Sequence, residues 1–436
     1  RFGFRIAGLA LCLALSGCSM LPDWLGEEDS EPPLPGERIA LKAGERTLLA
    51  DEGLLGKSIT LPQMPANAAW PQALGNATGV SGNLKLADDL QMQDDIAIGE
   101  GNGFSSPLVP PPVIADEMVF AMDGAGVVSA HQADAVDEVL WKTRVLEVDD
   151  EENRLVGGGI AWNNGVLYAA GSEGRIVAIN ARKGEILWKQ ELLLPLRTAP
   201  RISANMLLLL TADNQLLALS RTSGQLLWSH RGISEIAMPL HNALPAARDR
   251  VVLVSYSSGE LVALDQQSGL VLWSDAISSN KDNDLRQQSQ VSPLMARGLS
   301  FGAGPERIVA YETLTGRRVW EREVPVKRAP WLAGNTLFVL TPDAQVVAMR
   351  GTDGGVHWVS ELPKEAGDEP ILWYGPVVAG GKVWLVGSHG MLMALSPQDG
   401  SEVTAVEIPE NIKTAPVVAN ETMFLLDEEA TLYRLQ

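Results

Sequence analysis

Cysteine is nearly missing from this chain: two in 436 residues, Cys12 and Cys18, both within the first twenty positions. Everything after them lacks a disulfide, a thiolate metal site and a cysteine nucleophile. Histidine is also sparse. His131, His230, His241, His357 and His389 are scattered one per stretch, without metal-ligand spacing. Basic residues are outnumbered, 34 against 54 acidic, leaving a net charge of −20. A surface that negative repels phosphate backbones and anionic headgroups, which argues against nucleic-acid binding. If the protein sits at a membrane, something other than basic residues holds it there. The apolar run "IAGLALCLAL" (Ile6 to Leu15) stops at ten residues, too short to span a bilayer.

That run has the form of an export signal, with Arg1 and Arg5 ahead of it and "LSGC" (Leu15 to Cys18) behind it. The tetrad resembles a bacterial lipobox, which implies that Cys18 becomes a lipidated N-terminus. Two or more acyl chains anchor a protein stably where one does not. Ser19, where retained inner-membrane lipoproteins typically carry Asp, favours the outer membrane. Residues 1–18 are thus expected to be a signal peptide. Residues 19–65 are expected to be an acidic, proline-rich tether ("SMLPDWLGEEDSEPPLPGE", Ser19 to Glu37) followed by a stretch, 38–65, without a pattern that assigns it. Residues 66–436 form one further domain.

A repeat dominates that domain. "GRIVAINARKGEILW" (Gly174 to Trp188) lines up with "GELVALDQQSGLVLW" (Gly259 to Trp273). "NQLLALSRTSGQLLW", "ERIVAYETLTGRRVW" and "AQVVAMRGTDGGVHW" share the frame: alanine ten residues before the tryptophan and glycine four before it. "GMLMALSPQDGSEVT" keeps it with Thr404 in the tryptophan's place, and "GVVSAHQADAVDEVLW" is longer by one. The short apolar runs predict strands, their alanine allowing close approach of neighbouring sheets. The polar tetrad ending in glycine predicts a hairpin turn with positive φ. Upstream, units begin at Pro112, Gly159, Pro200, Pro239, Pro293, Pro330, Pro376 and Pro416, since proline is tolerated at the first residue of a strand. The result is four strands per unit, the blade of a β-propeller.

The units number seven complete and an eighth cut short at Gln436, before its outer strand. An open edge invites aggregation, so an N-terminal strand is expected to close that blade. "NAAWPQALGN" (Asn67 to Asn76) offers Trp70 for the role. The fold class is therefore all-β: an eight-bladed β-propeller of four-stranded antiparallel blades, its last blade closed by an N-terminal strand. The tryptophans, Trp70 included, are expected to dock one blade on the next. An indole buries on the order of 200 Å², worth several kcal/mol at about 25 cal/mol per Å².

The frame Ala-x-(Asp/Asn)-x-x-x-Gly-x-x-x-Trp resembles the repeat of pyrroloquinoline-quinone (PQQ) dehydrogenases, over nearly all of residues 66–436. It is shared by the quinoprotein dehydrogenases and by the BamB family, lipoprotein propellers of the outer-membrane β-barrel assembly machinery. The enzymes typically use a vicinal disulfide, Ca²⁺ held by acidic and amide groups, and an aspartate base. Here no such disulfide exists, no other catalytic constellation stands out, and no cofactor or metal is expected. Asp282 and Asp284 in "KDNDL" lack the other ligands of a calcium loop. "GEGNG" (Gly99 to Gly103) reads as turns, and "EVDDEE" (Glu147 to Glu152) as a solvated loop.

The connections from each tryptophan to the next proline emerge on one face and are uneven in length, which points to partner binding there. One of them holds Leu194-Pro195-Leu196-Arg197. The BamB family carries a Leu-x-Leu-Arg contact motif in this connection. The resemblance implies that Leu194, Leu196 and Arg197 bind the periplasmic POTRA domains of BamA, with Leu192 and Leu193 as neighbours. The acidic residues that the family adds from the following connection are not evident in "SEIAMPLHNALPAARDR" (Ser234 to Arg250). The expected function is a non-enzymatic scaffold on the periplasmic face of the outer membrane, assisting insertion of outer-membrane proteins and meeting nascent strands at blade edges. A PQQ-dependent periplasmic dehydrogenase and a scaffold of another envelope complex are the alternatives.

Overall fold

A computed structural model of the chain describes residues 48–101, 110–145, 158–171, 173–233, 243–277 and 291–436. Cys18, Glu147 to Glu152, Pro239, His241, Asp282 and Asp284 lie outside them. Residues 48–436 form one compact unit. It contains eight four-stranded antiparallel sheets, seven of them ordered first strand to fourth in sequence. Seven are continuous in sequence: 113–144, 158–191, 201–231, 246–276, 294–322, 331–361 and 373–407. We number these blades 1 to 7. Blade 8 joins Val417–Ala419, Thr422–Leu426 and Thr431–Leu435 to Met92–Ala97, which pairs antiparallel with the last of them. The first strands of successive blades touch one another around the axis, which makes them the innermost.

The repeated frame has a direct physical origin. Each frame alanine pairs across the ladder with the tryptophan of the outer strand: Ala130 with Trp141, Ala178 with Trp188, Ala218 with Trp228, Ala263 with Trp273, Ala310 with Trp320 and Ala348 with Trp358. The same alanine often faces an aromatic ring on its other side. Over the alanine the two rings meet at 6.0–6.1 Å, as in Phe120–Trp141, Tyr168–Trp188, Phe301–Trp320 and Phe338–Trp358. The small side chain thus makes room for rings within its own blade, a more local reason than approach between sheets.

The indole then reaches the next blade. Five of the six donate N–H to a carbonyl in the following blade's turn, at 2.8–3.0 Å: Trp141 to Ala181, Trp228 to Gln266, Trp273 to Thr313, Trp320 to Gly351 and Trp358 to Pro397. The ring lies on that turn's glycine. A Cβ on Gly184, Gly224, Gly269, Gly316, Gly354 or Gly400 would stand 2.5–2.7 Å from an indole carbon. All six have φ between 70° and 74°, so glycine is required both by the backbone and by the ring above it.

Four expectations change. The strand that completes blade 8 is Met92–Ala97, not Asn67 to Asn76. Trp70 consequently is not one of the docking set: it lies at the axis, bridged to Ile114 and stacked on Trp331 with centroids 6.0 Å apart. Blade 4 starts at Ala246, so Pro245 rather than Pro239 stands before its first strand. In blade 7 the first strand already begins at Trp373, and Pro376 sits at a register shift within it.

Closure replaces the alanine–tryptophan pair by an ion pair. Asp94, in the tryptophan's place, faces Arg434, in the alanine's. Arg434 Nε donates to Asp94 Oδ1 at 2.8 Å, and the backbone N–H of Val136, in blade 1, donates to Oδ2 at 3.3 Å. The two side chains are only 12% and 22% exposed.

The segment Asn67 to Ala87 has a different task. It circles the axis and meets all eight blades in turn. Asn420 N–H donates to Asn67 O, Trp70 and Ile114 exchange a backbone pair, and Trp162 N–H donates to Pro71 O. Ile202 N–H reaches Gln72 Oε1, and Ala247 and Met295 N–H reach Ala77 and Thr78 O. Trp331 Nε1 donates to Gly82 O, Leu84 bonds Val378 and Gly380, and Ala87 N–H returns to blade 8 at Glu421 O. Inner strands are edges, and this circuit supplies partners to groups that the blades leave unpaired. Arg201, 1% exposed, ties it down with bonds to the carbonyls of Ala73, Asn76 and Pro245 at 2.6–2.9 Å. Burial pushes its guanidinium down to about 9, which still leaves it charged at neutral pH. Residues 48–65 pack beside blades 5 to 7: Asp51 accepts from Val356 N–H and Arg322, and Ile59 pairs with the Gln398 side-chain amide.

Gly269→Ala is expected to cost about 2–4 kcal/mol, from left-handed backbone strain and overpacking against Trp228. Asp94→Ala, which strands a largely buried Arg434, is expected to cost about 2–3 kcal/mol. Denaturant unfolding of each purified variant measures both. A loss under about 0.5 kcal/mol would deny the role given to either residue.

Candidate functional site

The connection from blade 2 to blade 3 is held far more tightly than a free loop. Leu192 N–H donates to Gly174 O, Ala212 N–H to Pro195 O and Arg197 N–H to Leu210 O, all at 2.7–3.0 Å. Leu196 forms an antiparallel bridge with Thr211, and the Thr198 hydroxyl accepts from Leu210 N–H. Gly174 admits the loop, since a Cβ there would meet Leu194 O at 2.5 Å. The leucines divide accordingly. Leu196 is 2% exposed and belongs to the core cluster shared by blades 2 and 3, against which Leu192 and Leu194 pack half-buried. Leu193, at φ 56°, is turned outward and 89% exposed. Arg197 is half-buried at the axis, and burial lowers its pKa.

Leu194, Leu196 and Arg197 therefore share one connection but not one surface. Leu196 anchors, Leu194 lies half in and half out, and Arg197 lines the axial cavity. The exposed apolar side chain is Leu193, which alternation along an extended segment does not single out. Its left-handed backbone breaks that alternation.

The cavity occupies about 290 Å³ at the end of the axis where the connections emerge. Its floor is the circling segment, with Trp70, Ala73, Leu74 and Gly79, and beside them Trp331. Its wall carries Arg197, Lys327, Arg328 and Lys413, with Tyr374 and small residues between them. Three of these cations hold equivalent positions, which the sequence states in plain form: "LRTAP" (Leu196 to Pro200), "VKRAP" (Val326 to Pro330) and "IKTAP" (Ile412 to Pro416). In each, a buried apolar residue precedes the cation and an inner strand follows the proline. Lys327 N–H donates to Leu340 O just as Arg197 N–H does to Leu210 O. A comparison of the stretches before each proline, and not of the tryptophan frame alone, finds this set.

Other candidates resolve into structure. His131 is buried, bonded to Val136 O and Ser129 Oγ at 2.8 Å each, and burial lowers its pKa. His230 stacks on Tyr256 and bonds its hydroxyl. Gly99 and Gly101 mark close backbone approaches to Asp123 and Glu429. Among the described residues, no group of three His, Cys, Asp or Glu side chains is arranged to hold a metal, and no helix is long and apolar enough to cross a membrane.

Leu196→Ala is expected to cost about 2–5 kcal/mol by leaving a cavity under the connection, and to open the chain near Leu193 to limited proteolysis. An unchanged cleavage pattern and melting temperature would show that Leu196 does not pin it.

The family model described as "Outer membrane protein assembly factor BamB" matches residues 124–360 and 343–436. An uncharacterized protein of Rickettsia prowazekii is 24% identical over 61% of this chain and 65% of its own length, so this chain spans just under two-thirds of that relative. The outer membrane protein assembly factor BamB of Escherichia coli (strain K12) is 25% identical over 78% of this chain and 87% of its own. Among solved structures, BamB from Moraxella catarrhalis superposes with a TM-score of 0.67 at 18% identity, covering 80% of this chain and all of that one. A quinohemoprotein alcohol dehydrogenase from Comamonas testosteroni gives 0.62 at 12%, covering 84% and 80%, a likeness of fold alone. With its eight four-stranded blades, six of them docked on the next by a tryptophan, and a family model covering most of the propeller, the chain belongs to the BamB family of outer membrane protein assembly factors.

Proposed function

We propose that this propeller is a non-catalytic scaffold in outer-membrane β-barrel assembly, lipid-anchored through Cys18 on the periplasmic side of the outer membrane. It would bind the POTRA domains of a BamA-like barrel subunit through the blade 2 to blade 3 connection. Family membership supports the general role, and the observation that carries the binding surface is the pinned connection itself. Leu193 is presented on a rigid support, Leu194 lies half-buried beside it, and Leu196 acts from beneath as the anchor. An apolar knob held still loses little conformational entropy on binding, the condition for a strong contact. Arg197 adds charge-assisted bonds from the axial side. Outer strands add a second surface: Leu187, Leu227 and Leu272 are exposed at the same position of successive blades, beside unpaired strand edges suited to nascent β-strands.

The dehydrogenase alternative meets a cavity whose chemistry does not fit it. Among the residues that line the cavity there is no carboxylate, side-chain amide, imidazole or cysteine. Neither a Ca²⁺ ligand set nor an aspartate base for a quinone enzyme is present among them.

The test is co-purification from membranes of cells carrying Leu193→Asp, Leu194→Asp or Arg197→Glu. Recovery of the barrel subunit is expected to fall at least tenfold, the melting temperature of the Leu193→Asp propeller staying within about 2 °C of the parent. Undiminished recovery with all three would remove this connection from the interface.

A further inference from the structure

A protein with a net charge of −20 concentrates four cations at its axis. Their settings differ. Lys413 is neutralised by an ion pair with Glu428. Arg328 lies over the Tyr374 ring, 4.3 Å from its centroid, with a buried Nε that finds no acceptor among the described residues. Lys327 is its neighbour in sequence, and burial and the Arg328 charge both lower the Lys327 pKa. No carboxylate acts on Lys327 or Arg328 among the described residues. Two like charges held together in a partly desolvated wall are stable against each other only at a cost, which an anion placed between them would reverse.

The floor is of the opposite character. Trp70 and Trp331 stack at 17°, both buried, with Leu74 beside them. Arg201 and the circuit of bonds to all eight inner strands hold this floor in place, so the cup exists without a ligand. Its volume of about 290 Å³ lies at the lower end of the range for small-molecule pockets. It admits a one-ring molecule but no folded element.

We propose that the cup is a binding site for a small amphiphilic anion, a carboxylate or phosphate head on an apolar, preferably aromatic body. The body rests on Trp70, Leu74 and Trp331, and the head meets Lys327 and Arg328. This site goes beyond the scaffold function and stands without it, because neither cation belongs to the connection that carries Leu193.

Titration calorimetry of the full chain with phenylphosphate and with phenylacetate tests it, inorganic phosphate and phenol being the half-ligands. At least one of the two complete probes is expected to bind with a Kd of about 1 mM or tighter, at least tenfold more tightly than either half-ligand. The better of the two identifies the head group. Lys327→Gln and Arg328→Gln are each expected to weaken that probe at least tenfold, with the melting temperature and co-purification of the barrel subunit unchanged. Saturation equal to that of inorganic phosphate would overturn the apolar half of the site. Undiminished binding in both variants, or no saturable binding of either probe, would overturn the site as a whole.

Discussion

Where an indole lies on the next blade's turn glycine, two demands meet at one residue. The turn needs a positive φ and the ring needs the space of a missing Cβ. Neither alone would fix the spacing between glycine and tryptophan. Together they do, because a blade's own tryptophan must stand four residues after the glycine that its predecessor's ring covers. The alanine follows from the same contact, since only a small side chain opposite the indole leaves room for a second ring. The repeat in the sequence is therefore the trace of an interface between units, not of the units themselves. It fades where the interface changes, at Thr404 and at the Asp94–Arg434 pair.

Around that regular frame, charge is sorted by radius. Ion pairs such as Arg318–Asp275 and Arg307–Glu321 decorate the outer strands, where water screens them. The axial cations sit where water is scarce and acidic side chains are missing from the lining. The connection to blade 3 joins these two worlds. One end presents Leu193 outward, and the other delivers Arg197 to the axis, five residues of pinned backbone serving both.

The architecture was legible in the sequence because its signal is repeated, and errors at one copy are corrected by the others. Pro239 misled because a proline alone does not mark a strand, and the true start after Pro245 lies seven residues on. Trp70 misled for a similar reason: a tryptophan without its alanine and glycine is not part of the docking frame. Asp94 could not be found by similarity at all, since a carboxylate does the indole's work there through a different force. The connection's leucines stand out in the sequence as a group. Which of them is core depends on a single left-handed residue at 193, and no pattern of hydrophobicity encodes that. The "RTAP", "KRAP" and "KTAP" stretches were legible in principle, because they stand at one offset from the inner strands.

The circling segment sets a rule of order for folding. Its residues are synthesised before any blade, yet each of its bonds waits for a different one, and the last waits for Glu421, near the end of the chain. Met92–Ala97 likewise has no partner strand until Thr431–Leu435 exists. Nearly the whole polypeptide must be present before the axis can be filled or the ring closed. Contacts of such long sequence separation make for slow, concerted completion. Until Thr431–Leu435 has been made, the ring therefore stays open at blade 8.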